Sequence, residues 1–227
     1  AFLFCFDVFI FFPSITIQKG HTMAFPFLTV FLIFLIFLNV KKHVAEKKEK
    51  ESRNVFWERE DLANSTPKKD ISSLNYILIP LDELPIPTSE DSTEIHTIYQ
   101  KLADLSNQQI LNLTGYSNTD LKITYGYGNL QSLMKFDQNF TLLCKLLHQL
   151  GELYHENESD AKAIQFLEFA VSCQSDVSKT YLLLAQLYTK RNQQYRIPDL
   201  IGRAQNLNSL SREIIIRHLT EFVHTEE

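Results

Sequence analysis

The feature that most constrains this chain is a self-match: Cys144 to Ser211, shifted by 34 residues, falls on itself. Leu147 lands on Tyr181, Leu150 on Leu184, Gly151 on Ala185 and Tyr154 on Tyr188. Further along, Ala163 lands on Ile197, Leu167 on Ile201 and Ala170 on Ala204. A fixed period of this length is the mark of a unit that cannot bury its apolar face alone and must stack on a copy of itself. Within each copy the large and small positions suit a pair of helices. Gly151 and Ala185 let a second helix come close, Leu150, Leu184, Tyr154 and Tyr188 fill the space between, and Ala170 and Ala204 leave room for the next copy. The expected class is therefore all-α.

These residues resemble the tetratricopeptide repeat family. The first copy keeps Leu147, Leu150-Gly151, Tyr154, Ala163 and Ala170 of the family pattern, and the second keeps Tyr181, Leu184-Ala185, Tyr188 and Ala204. The chain departs from it at the terminal Pro, where Ser175 and Ser209 stand, and at Ile197, where the family prefers Ala. Pro198 suits a first helical turn, so the second helix of that copy is expected to start late. The resemblance covers about 68 of the 227 residues, in copies at about 144–177 and 178–211 of a domain spanning 137–227. It implies a solenoid of antiparallel helix pairs, and two copies need covered ends. Ser211 to Val223 supplies a closing helix with Ile215, Leu219 and Phe222 on one face. Residues 91–136 supply the opposite cap, and Asp137 is the expected N-cap of the helix carrying Phe140, Leu143 and Leu147.

Upstream of the copies, Asp91 to Leu105 carries Ile95, Ile98, Leu102 and Leu105 at helical spacing. Gln109 to Leu113 reads as a helical turn ended by Gly115, and Tyr116 to Gly128 as irregular. The Gly126-Tyr127-Gly128 corner lacks the further Gly and distant acid of a dinucleotide site. Residues 64–90 read as an extended strap. Thr66-Pro67 ends the preceding helix, Pro80 excludes a central strand, and Ile77 and Ile79 are expected to bury on one side. Residues 41–63 form a basic helix without Gly or Pro, with Glu46 and Lys50 in the favourable order for an i,i+4 pair. Trp57 is expected to pack on the body or lie at a lipid interface.

Residues 24–40 read AFPFLTVFLIFLIFLNV, without a charge. As a helix they cover about 25 Å, and Lys41 and Lys42 can snorkel to complete a bilayer crossing. No cation precedes the run after Met23 and no small-residue cleavage site follows it, so an uncleaved anchor is expected. Residues 1–23 are expected to be untranslated leader or a disordered N-terminus, with Met23 as the start. Lys41, Lys42, Lys47, Lys48, Lys50 and Arg53 all follow the run, which places the body in the cytoplasm at the cell membrane, single-pass. Four Asn-x-Ser/Thr triplets, at Asn64, Asn112, Asn139 and Asn157, are irrelevant in that compartment. From Lys41 to Lys69 there are nine Lys and Arg against six Asp and Glu, whereas from Asp70 onward there are 12 against 20. The acidic body is a poor match for nucleic acid, and the basic flank suits anionic lipid.

Nothing in the sequence reads as an enzyme, and no cofactor or metal is expected. Cys5, Cys144 and Cys173 lack disulfide or metal spacing and read as free thiols. His148, Glu152 and His155 share a helix face, without the i,i+4 His pair of a zinc protease. The family resemblance implies that first helices line a concave groove. The residues facing it would be Lys145, His148, Glu152 and His155 from one copy, and Lys179, Leu182, Gln186 and Thr189 from the next. Glu152 stands where a carboxylate clamp would need a donor, so a clamp for a chain terminus is not expected. The expected function is a membrane-anchored adaptor that binds a protein or peptide. The alternatives are a structural subunit of a larger membrane complex, or an enzyme with an unrecognised site. The wider chain, through FWERE, LNLTG and SNTDLK, also resembles an uncharacterised family of bacterial membrane-anchored proteins.

Overall fold

The computed structural model describes residues 24–224, and the expectation for residues 1–23 lies outside the described residues. The chain forms two units, divided between Trp57 and Glu58. Among the described residues there are eight α-helices and no strand.

The first unit is the long run of α1 (Ala24–Ser65), which extends to Trp57 before the boundary. Every side chain from Leu28 to Trp57 is exposed. A helix that presents Leu, Ile and Phe all round has no protein surface to bury them, and it is long and apolar enough to cross a bilayer. At the end of the apolar run the ammonium of Lys41 lies 5.4 Å from the ring centroid of Phe37, folded back toward the apolar segment. Glu46 pairs with Lys42 at 3.8 Å instead of the expected Lys50, and Lys47 pairs with Glu51. Trp57 is exposed and meets Phe56 edge-on, at 5.4 Å between centroids.

The second unit begins with the last two turns of α1, which are bound to α3 (Asn118–Tyr125). Glu60 accepts from Thr119 at 2.7 Å and from the ammonium of Lys122 at 2.9 Å, and Lys122 also donates to Asn64. Arg59 pairs with Asp120. The chain leaving α1 then caps the far end of α3, where the ammonium of Lys69 donates to the carbonyls of Ile123 and Thr124. The buried amide of Asn129 donates to the carbonyls of Lys69 and Tyr125, both at 2.7 Å. Gly126, at φ 91°, lies flat against the backbone of Pro67, where a Cβ would strike the Pro67 carbonyl oxygen. The glycine corner is thus an internal joint.

Two expectations fail here. Residues 118–125 are helical because Ser117 and Asp120 form a reciprocal capping box, a signal outweighed in the sequence by the neighbouring turn formers. Conversely, Gln109 to Leu113 is not helical. Its backbone pairs outward, with the Ile110 carbonyl accepting from Ile77 and the Leu113 N–H donating to Asp137. That bond also removes Asp137 as a cap. α4 (Leu130–Glu156) starts seven residues earlier, and Asp137 lies within it, its pKa raised by burial. Leu111, Leu113, Leu121 and Leu133 form a small core of their own beneath this region.

The main core lies among α2 (Thr93–Ser106), α4, α5 (Asp160–Ser172), α6 (Ser178–Lys190), α7 (Ile197–Gln205) and α8 (Arg212–His224). α2 is capped by Ser92, whose side chain accepts from Ile95 N–H at 3.3 Å. The residues from 66 to 92 are without helix or strand, with Ile79 and Leu84 buried and Ile77 half-buried against the core. Successive helices pack on one another: α4 on α2 and α5, α5 on α6, α6 on α7, and α8 on both α6 and α7.

Several backbone bonds recur 34 residues on. Ser159 N–H donates to Tyr154 O at 2.8 Å, and Gln193 N–H to Tyr188 O at 2.7 Å. In each turn the residue before the donor is left-handed, Glu158 at φ 57° and Asn192 at φ 56°, closing the helix as a 6→1 bond does. The two helix ends after these pairs use serine alike. Ser175 accepts from Val177 N–H at 3.4 Å, and Ser209 from Ser211 N–H at 3.2 Å. Where the expected pattern has Pro, Ser175 also donates its own N–H to Ala170 O at 3.1 Å, a bond Pro would not make. Leu147, Leu150, Tyr154, Ala163, Leu167 and Ala170 are fully buried, and of their counterparts 34 residues on only Ile201 is partly exposed.

Candidate functional site

The candidate site is a depression of about 310 Å³ between α4 and α6. α4 contributes His148, Glu152 and His155, which recur every turn because residues three and four apart share a helix face. α6 contributes Lys179, Leu182 and Gln186 by the same rule. Six of the eight groove residues expected from the sequence thus line one concavity. The other two do not line it: Lys145 is exposed one turn before His148, and Thr189 is half-buried with its hydroxyl donating to Ala185 O at 3.0 Å. Glu156 and Leu183 also line it. The signal for Glu156 was its place four residues after Glu152.

His148 is the buried member, 9% exposed. Its Nδ1 lies 3.4 Å from the Thr180 hydroxyl, which fixes the start of α6 beside it. Its Nε2 lies 3.3 Å from Glu152 Oε1 but makes no hydrogen bond of good geometry. Burial pushes the imidazole below the ordinary histidine range, the Glu152 carboxylate pulls the other way, and the Lys179 ammonium adds to the lowering. His155 is turned away from His148 chemically. Its Nδ1 contacts Asp160 at 2.7 Å, and Asp160 also pairs with Lys190 at 2.6 Å. Lys190 foremost, with His155, holds the Asp160 carboxyl below its usual range despite desolvation. Among the described residues no group of three His, Cys, Asp or Glu is placed to hold a metal ion. Cys144 and Cys173 are buried free thiols, pushed up to about 12 and about 11 by burial, which keeps them protonated and poor nucleophiles.

The sequence reading missed a second arrangement, outside the lining of the depression. Lys162 lies over the ring of Tyr154 at 5.0 Å and pairs with Asp91 at 3.1 Å. Thirty-four residues on, Arg196 lies over the ring of Tyr188 at 4.5 Å and pairs with Glu168 at 2.6 Å. The available signal was a cation eight residues after each tyrosine. These cations are occupied from two sides and serve packing. A larger concavity of about 630 Å³ runs past Tyr127, Leu130 and Met134, with Lys135 its one charged wall residue. The α4–α6 depression combines both signs of charge, imidazole and leucine in one place. No protein-family model, no curated protein and no solved structure matches this chain.

Proposed function

We propose that this chain is a single-pass adaptor of the cell membrane, whose second unit is a tetratricopeptide-repeat-like solenoid that binds a protein or peptide in the cytoplasm. The observation that carries this reading is the α4–α6 depression, where helices that begin equivalent 34-residue segments stand side by side and present Leu182 among polar groups. The recurrent turns and the buried counterparts of Leu150 and Tyr154 support the repeat reading. The apolar α1 followed by lysines supports the anchor and its orientation.

The test is photo-crosslinking in intact cells, with a photoreactive residue at Lys179 of the full-length protein. A discrete adduct that disappears in Leu182→Glu, with the helical circular dichroism unchanged, is the expected result. An adduct indifferent to Leu182→Glu would remove the groove from the proposal.

A second reading, a fixed subunit of a larger membrane complex, is favoured by apolar side chains left open on the body: Leu210 is 99% and Tyr195 77% exposed. Under that reading detergent-extracted protein elutes as one large assembly that Leu210→Ser breaks apart.

A further inference from the structure

The first half of α4 presents a face that no other element covers. Gln131, Met134, Lys135, Gln138, Leu142 and Lys145 recur at helical spacing and share one side of the helix. All six are exposed, Met134 and Leu142 each by 41%. At its start the face opens into the concavity of about 630 Å³ walled by Tyr127 and Leu130. The Lys122 ammonium lies 5.8 Å from the Tyr127 ring centroid and is itself bound to Glu60, which holds that wall. The charge on this face has one sign. Residues 130–151 contain a single carboxylate, Asp137, which is turned inward to accept from Leu113 N–H. Lys135 and Lys145 make no ion pair or hydrogen bond among the described residues, in contrast to Lys122, Lys162 and Lys190. From Asp70 onward the body holds 20 Asp and Glu against 12 Lys and Arg, so this cationic, apolar face is a local exception on an acidic surface. An anionic bilayer repels such a body, whereas an acidic protein surface is complementary to the face alone.

We propose that this face of α4 is a docking surface separate from the α4–α6 depression, and that it takes an acidic amphipathic helix of a partner protein. Lys135 and Lys145 stand about 15 Å apart along the helix axis, which calls for carboxylates about ten residues apart on the partner. Between them Met134, Gln138 and Leu142 form a ridge at steps of four, on which a second helix packs its apolar stripe. An apolar side chain at one end of that stripe fills the concavity beside Tyr127. A helix brings its backbone hydrogen bonds with it, whereas an extended segment would need a strand edge, and there is no strand among the described residues.

The test uses the full-length protein in phosphatidylcholine nanodiscs and three fluorescein-labelled helical peptides of about five turns, read by anisotropy at about 0.15 M salt. The first peptide has leucines along one face flanked by glutamates. The second has lysines in place of the glutamates, and the third has the composition of the first with its leucines scattered around the helix. The first is expected to bind roughly tenfold tighter than the second, as two exposed ion pairs allow, and the third to bind more weakly than the first. Lys135→Glu combined with Lys145→Glu is expected to move the preference to the lysine peptide, and Met134→Glu to weaken the first. Leu182→Glu, in the depression, is expected to change neither. The substituted positions on α4 are exposed, so the fold is retained, and a thermal melt of each variant checks it. Binding indifferent to the charge reversal and to Met134→Glu overturns the proposal, and so does binding lost in Leu182→Glu, which would put the peptide in the depression. Displacement of the peptide by phosphatidylserine vesicles but not by phosphatidylcholine vesicles would give the face to lipid and overturn it as well. Self-association abolished by Met134→Glu, without peptide binding, would give the face to a second copy with the same consequence. The adaptor reading of the depression is decided separately, by the Lys179 crosslink.

Discussion

At the residue scale the glycines separate by what surrounds them. Gly126 has φ 91° and touches the Pro67 backbone, so Gly126→Ala meets both a left-handed backbone and an immovable carbonyl. We expect it to cost roughly 2–4 kcal/mol in chemical denaturation. At Gly151 a Cβ would lie 2.5 Å from Leu167 Cδ2, the end of a side chain that can shift, so Gly151→Ala is expected to cost about 1–3 kcal/mol. Gly202 has open space around it, so Gly202→Ala is expected to stabilise by about 0.5–1 kcal/mol through helix propensity alone. Equal effects at the three sites would contradict these environments. His148 gives a pH test. Its folded pKa is lowered by burial, so the unfolded chain binds the proton more readily. The contribution of this residue is fully present above its ordinary value of about 6.5 and is lost as pH falls from there through the folded value. Melting temperature should therefore fall between pH 7 and 5, and His148→Asn should flatten that slope. The alternation of Gly151 with Leu150 and Tyr154 was legible in the sequence because close helix packing demands a small residue at a fixed step. The burial of His148 was not legible, since its depth depends on Thr180, 32 residues away.

At the scale of elements the informative joint is between the last turns of α1 and α3. Glu60 and Lys122 are both largely sequestered, at 15% and 13% side-chain exposure; Glu60 also accepts from Thr119, and Lys122 also donates to Asn64. Hydrogen bonds from Lys122 and Thr119 hold the Glu60 carboxyl below its usual range, so the pair stabilises above the ordinary glutamate value and its contribution is lost on acidification. A double-mutant cycle with Glu60→Gln and Lys122→Met should show each single change lowering the melting temperature and the double change lowering it by less than their sum. Strict additivity would mean the two act independently. This joint also accounts for the misreading of residues 116–128. Asn118 and Asp120 favour turns in isolation, but the Ser117–Asp120 capping box and the arriving Glu60 carboxylate and Arg59 guanidinium of α1 select a helix. Asp137 was misplaced for the matching reason: a carboxylate at a plausible helix start is indistinguishable in sequence from one that accepts Leu113 N–H from within a longer helix.

At the scale of the whole molecule the anchor assignment makes a simple demand. The protein should sediment with membranes and resist extraction by alkaline carbonate, while deletion of residues 24–40 should release the body. The proposed orientation demands that protease added to intact cells leave the body uncut, and cleavage without permeabilisation would reverse it. The sequence alone determined what depends on local order: the apolar run, the lysines after it, the helical class, and the 34-residue alternation of large and small positions. These are periodic signals, carried by neighbours within one or two turns. Only the tertiary structure decided which polar groups are buried, which cations are already paired, and which side chains line the α4–α6 depression. Those are properties of distance between segments far apart in the chain. Lys162 and Lys179 are the same residue type in sequence, and only packing gives one of them Asp91 and leaves the other facing solvent.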